Sequence, residues 1–194
     1  MKPLSRSSFA WVAAALAVLM IATRLFGHVG DALHLPDASM AVFFLGGLYL
    51  RRHLAFAGYL LLAVLIDWVA IREAGVSDFC VTAAYVFLLP AYAALWYGGR
   101  LYAPRLDGGP ASLAGALAVA LVGAAACYAI SGGAFYWLGG RYAHPHMAEY
   151  LARAWRWGPM FVRVTLCYVA AGLALHTAAR SLAHRRHERQ AARA

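Results

Sequence analysis

Few residues in this chain have side chains able to do chemistry. Asp67 lies late in the apolar stretch LLLAVLIDWVAI. A carboxylate at membrane depth costs about 3 kcal/mol on insertion scales, so such a residue is functional, neutralised by an ion pair, or placed at the interface. Arg72, Arg153 and Arg163 are the candidate partners for the second case. Cys80 sits in VSDFCVTAAYVF, with Asp78 placed to cap a helix starting there. A helix N-terminus favours the thiolate, the form that binds metals. The alternative is a small apolar packing residue, which is the reading that suits Cys127 and Cys167. Tyr85 follows Cys80 by about one and a half helical turns. It faces another direction, yet it can line the same cavity or simply pack between helices. Arg153, in EYLARAWRW, has Glu149 four residues before it. That spacing suits a helix-surface ion pair; the sharper reading is a guanidinium facing the amide or phosphate oxygens of a ligand. His28 and His34 lie in RLFGHVGDALHLPD, at a spacing that fits no standard zinc pattern. His144 and His146 read as a solvated loop. Three cysteines without a CxxC pair suggest neither a disulfide framework nor a structural zinc site. No phosphate-binding loop, dinucleotide fingerprint, HExxH or nucleophile elbow is present in the sequence, so an energy-coupling ATPase is not in this chain.

The elements that must position these residues are apolar. Of the 194 residues 63% are hydrophobic and 13% charged, and the mean hydropathy is +0.63. A soluble domain carries roughly twice that charged fraction. Apolar runs approaching the ~20 residues needed to cross a bilayer occupy Phe9–Phe26, Ala38–Leu50, Leu54–Ile71, Phe79–Tyr102, Leu113–Ile130 and Met160–Ala179. The runs are continuous rather than alternating, so the expected fold is all-α, with six transmembrane helices in one domain spanning residues 1–194. The second run is short and contains Gly46 and Gly47. Pro90 is expected to kink the fourth. Small residues at Ala10, Ala13, Ala14 and Ala17, and at Ala114, Gly115, Ala118 and Gly123, allow close helix approach.

The net charge of +9 could suggest a nucleic-acid binder, but its distribution gives it another meaning. Lys2, Arg6, Arg51, Arg52, Arg100, Arg105, Arg180, Arg185, Arg186, Arg189 and Arg193 all fall on the termini or the even-numbered connections. By the positive-inside rule both termini are cytoplasmic, with 180–194 a basic cytoplasmic tail. The opposite face holds most of the acids and the longer connections. Segment Ser131–Pro159 is expected to be a loop with hinges at Gly132–Gly133 and Gly139–Gly140. Within it, Met147–Trp157 is expected to form a short interfacial helix. A site open to the outside and roofed by this loop follows.

With Asp67, Cys80 and Tyr85 spaced D-x12-C-x4-Y, Arg153 in the last outer segment, and AxxxA at Ala10–Ala14, the sequence resembles the substrate-binding S components of energy-coupling factor (ECF) transporters. More closely, it resembles the BtuM family of cobalamin transporters. The resemblance implies a six-helix bundle in the bacterial inner membrane that takes up vitamin B12 and is not an enzyme. It implies that Cys80 ligates the cobalt of cobalamin, a bond suited to a soft thiolate. His28 would approach the opposite axial face, and Asp67, Tyr85 and Arg153 would hydrogen-bond the amide arms or hold the loops. Ala10 and Ala14 would dock an ECF transmembrane coupling protein with its ATPases. Thiolate ligation could further promote loss of cyanide from cyanocobalamin. Three rivals stand beside this reading. A haem-binding redox protein needs axial His or Met deep in the spans, and the only span histidine is His176, near one end. A membrane enzyme acting on a lipid would use Asp67 as general base, but shows no second catalytic group. A structural subunit would carry its polar residues only to set topology.

Overall fold

The computed structural model describes residues 5–29 and 35–191, and side chains at 5–24 and 35–182. These residues form six α-helices and no strands. They are α1 (Arg6–Val29), α2 (Ser39–Tyr49), α3 (His53–Glu73), α4 (Leu88–Tyr102), α5 (Pro110–Leu138) and α6 (Met147–Ala191). Four of them, α1, α3, α5 and α6, are long and apolar enough to cross a membrane. Successive helices run to and fro. One end of the bundle therefore carries Arg51, Arg52, Arg100, Arg105 and Arg180, and is called the basic end below.

The second apolar run becomes the centre of the fold. At 11 residues α2 is about 16 Å long, half the hydrocarbon thickness. It survives because the other helices surround it: Ala41 through Leu48 are all buried. Phe43 stacks on Tyr92 at 4.1 Å between ring centroids and meets the edges of Phe56, Tyr59 and Trp96. Gly46 and Gly47 are not helix breakers here. A Cβ at Gly47 would enter the Trp96 carbonyl, one at Gly46 the Trp96 ring, and one at Gly99 of α4 the Phe44 carbonyl. Glycine lets α2 and α4 touch backbone to backbone, as small residues do between membrane helices. The α5 stripe works likewise, since Gly115 leaves room for the Tyr102 hydroxyl and Gly123 for Leu95. On α1, the Tyr59 hydroxyl of α3 donates to the Ala13 carbonyl at 2.7 Å.

Four expectations are corrected. The fourth run is not one helix. Its first third folds as two 3-10 turns, Asp78–Cys80 and Ala83–Phe87, each capped by a hydroxyl: Ser77 accepts from the Phe79 N–H and Thr82 from the Ala84 N–H. Such local side-chain bonds compete with helix propagation. Pro90 then falls in the first turn of α4, where its missing N–H costs no bond, so no kink is required. The expected 29-residue loop is mostly helix: α5 continues through Gly132 and Gly133 to Leu138, and the connection is only residues 139–146. Gly140, at φ +67°, makes the turn in a region that glycine enters without strain. Finally, Met147–Trp157 is the opening of α6, which passes through Pro159 without a break and includes residues 180–191 of the expected tail.

Candidate functional site

At the end of the bundle opposite the basic one, Arg24 on α1 gathers four side chains directly and a fifth, Tyr85, through Asp67. Its Nε and Nη2 donate to the two carboxylate oxygens of Asp67, both at 2.6 Å. Its Nη1 donates to Ser39 Oγ at 3.0 Å and Tyr92 Oη at 3.2 Å, and pairs with Asp37 at 3.3 Å. Tyr85 donates its phenol hydrogen to Asp67 Oδ2 at 2.6 Å. Helix α1 thus reaches α2, α3, α4 and the second 3-10 turn through one guanidinium. The bidentate fork is the geometry in which arginine and carboxylate match best. The site is deep: the Arg24 side chain is 10% exposed and that of Asp67 21%. Asp37 also accepts from the Ser39 N–H and hydroxyl, fixing the start of α2. Thr23 Oγ1 accepts from the Ala38 N–H beside it.

The arrangement changes the standing of Asp67. Its ion-pair partner is Arg24, on another helix, rather than Arg72, Arg153 or Arg163. Its oxygens accept three short hydrogen bonds, one on Oδ1 and two on Oδ2, so its acceptor sites are largely committed to holding the fold. Of the expected site residues, the structure brings Asp67 and Tyr85 into direct contact. Arg24, Asp37, Ser39 and Tyr92 were absent from the candidate set. Arg24 alone had a signal, as a charge near the end of an apolar run.

Cys80 is exposed and closes the short Asp78–Cys80 turn. The long helix expected to begin at this thiol is not there, so its macrodipole is not focused on Cys80. Cys127 is buried, as a packing residue should be, whereas Cys167 is exposed on α6. The segment carrying Cys80 is clasped through its neighbour. Arg141, in the α5–α6 connection, donates Nε to the Phe79 carbonyl at 3.2 Å and lies over the Phe79 ring at 4.8 Å. Phe79 in turn meets Phe135 at 5.7 Å.

Phe135 belongs to the wall of a cavity of about 410 Å³ that also contains Arg153. The wall is strongly aromatic, with Tyr128, Tyr136, Tyr142 and Trp157 among its members. Arg153 pairs with Glu149 at 2.9 Å and covers the Tyr142 ring at 4.6 Å. The surface ion pair expected from spacing is therefore present, and the same guanidinium lines the cavity. Glu149 also accepts from Tyr136 at 2.9 Å, which ties the start of α6 to α5.

The remaining expectations lie apart from this region. The backbone of His28 falls in the last turns of α1, while its side chain and all of His34 lie outside the described residues. Among the described residues, no group of three or more His, Cys, Asp or Glu side chains is placed to hold a metal ion. Ala10 and Ala14 are exposed on α1. Ala14 joins Ala13 and Ala17 along a groove of about 530 Å³ against α3. No protein-family model and no curated protein sequence matches this chain.

Proposed function

We propose that the chain is a membrane importer of cobalamin that binds the vitamin at the end of the bundle opposite the basic one, with the Cys80 thiolate on cobalt. The observation that carries the reading is the exposed thiol of Cys80, held in an irregular segment between two built features. On one side in sequence, Tyr85 locks onto the Asp67–Arg24 pair. On the other, Phe79 packs against the wall of the aromatic cavity. A single soft thiolate suffices for an axial bond to a corrin-held cobalt, so no multi-residue metal cluster is needed. The 410 Å³ cavity has the size of a small-molecule pocket and is smaller than a whole corrinoid. It would receive one arm of the ligand, with Arg153 donating to amide oxygens, while the ring lies over Cys80. Asp67 and Tyr85 hold the segment that bears the thiol, and His28 is the candidate for the second axial position. Cyanide loss on thiolate ligation belongs to the same reading.

In this reading the basic end faces the cytoplasm of a bacterial cell, as the positive-inside rule asks. The six-helix bundle is read as an S-component fold, and the exposed Ala10–Ala14 face of α1 is where an ECF coupling protein would dock. The experiment is a titration of the purified chain with cyanocobalamin, followed by absorption spectroscopy. The parent binds the vitamin and shifts its spectrum, and Cys80→Ala abolishes the shift. An unchanged spectrum in the parent, or a shift that persists in Cys80→Ala, overturns the ligand role. Arg153→Gln weakens binding with little change in melting, because an exposed i,i+4 pair is worth only about 0.3–0.5 kcal/mol. A haem Soret band in place of a corrinoid spectrum would favour the redox rival.

A further inference from the structure

A second cavity lies near the basic end, between α1, α2 and α6, with a volume of about 830 Å³. Its walls are hydrocarbon, formed by Val12, Leu16, Leu45, Gly172 and Leu175. Leu175 is 73% exposed, so the cleft opens sideways off the bundle rather than along its axis. Asp107 and Arg180 also line the cleft, and two further polar groups break its apolar wall. Tyr49 Oη and His176 Nε2 are both buried, and neither has a hydrogen-bond partner among the described residues. Their rings stack at 5.6 Å between centroids, and the two polar atoms are not hydrogen-bonded to each other. At the mouth, Arg180 is exposed and donates to the Asp107 carbonyl.

Buried polar groups without partners are rare, and two that line one cleft call for a common explanation. Water alone is a poor answer. One molecule takes up about 30 Å³, so most of the cleft would hold water against hydrocarbon or stand empty, losing the contacts of its lining. A partner that answers both groups offers acceptors to Tyr49 and His176 and a long apolar body for the cleft, and an anionic group on it would lie within reach of Arg180. We propose that the cleft is a binding site for one diacyl phospholipid. An acyl chain lies along α1 and α6, an ester carbonyl accepts from Tyr49 and from the Nε2–H tautomer of His176, and the phosphate meets Arg180. This site is separate from the one around Cys80, and it does not depend on what the chain transports.

The test uses the full chain purified in mild detergent. Native mass spectrometry and a phosphorus assay count retained phospholipid, and melting is followed as dioleoyl phosphatidylglycerol is added to delipidated protein. The parent retains about one phospholipid and melts higher on addition of the lipid. The variant Tyr49→Phe/His176→Leu retains at least fivefold less and loses the lipid-dependent rise. Arg180→Gln weakens retention while leaving the two donors in place. Because Tyr49→Phe removes an unpaired buried hydroxyl, an unoccupied cleft makes this variant melt higher than the parent in every condition. That result, or equal retention by parent and double variant, overturns the proposal. So does the appearance of a haem Soret band that depends on His176.

Discussion

Replacing Arg24 by Met tests whether the hub organises one end of the bundle. The substitution keeps the length of the aliphatic stem and removes five donors. Asp67 loses both of its 2.6 Å partners on Arg24 and keeps only Tyr85. Breaking a buried pair from one side costs about 3–5 kcal/mol, because a carboxylate is left uncompensated. For a chain of this size each kcal/mol moves the melting temperature by roughly 2–4 °C, so Arg24→Met should melt roughly 6–20 °C below the parent. Arg24→Met combined with Asp67→Leu removes the stranded charge. It should regain most of that loss, leaving about 1–2 kcal/mol for the unpaired Tyr85 and Tyr92 hydroxyls. Asp37 contributes little to the remainder, since its side chain is 44% exposed and can hydrate. The assay is thermal unfolding in lipid nanodiscs followed by tryptophan emission, to which Trp68, next to Asp67, contributes. The reasoning is refuted if Arg24→Met melts within about 2 °C of the parent, or if the double variant melts no higher than Arg24→Met.

Two further predictions concern packing and pH. Gly47→Ala and Gly99→Ala should each cost about 1–3 kcal/mol or prevent folding, because the new methyl meets backbone. Gly58→Ala meets nothing and should gain about 1 kcal/mol from helix propensity; equal melting of the three variants would remove the α2–α4 seam as an explanation. Asp107, on the basic end before α5, is held below its usual 3.8 by the neighbouring Ser112 hydroxyl and by the Gly109 N–H, which donates at 2.7 Å. Between the lowered value and 3.8 the unfolded chain binds the proton and the folded chain does not. The stabilisation is therefore full above 3.8 and is lost as pH falls through the folded value. Asp107→Ala should flatten the melting profile in that acid window and leave it parallel to the parent's above pH 5; identical profiles would dismiss the contribution.

The apolar runs and their number were legible in the sequence because a spanning or bundle-core segment must be hydrophobic along its whole length, a property visible without any partner. Asp67 was legible for the converse reason: a carboxylate in such a run stands out. What the sequence left open was set by contacts between residues far apart in the chain. Glycine reads as flexible in isolation. Only the approach of Trp96 and Phe44 turned Gly47 and Gly99 into packing surfaces and the doubtful second run into the buried core. The Gly132–Gly133 hinge failed in the same way, because α5 simply continues through it against Tyr150 of α6. Composition alone made the fourth run look like a helix beginning at Cys80. Hydroxyl caps at Ser77 and Thr82, which depend on local geometry, divided it into turns. Arg24 shows the limit most clearly. It lies 43 residues from Asp67, and an arginine near a helix end reads as interfacial until folding buries it. The sequence determined that a charge would have to be neutralised in a greasy chain. Tertiary structure decided which arginine does so, since this hub of donors and acceptors forms only after four helices and a turn have met.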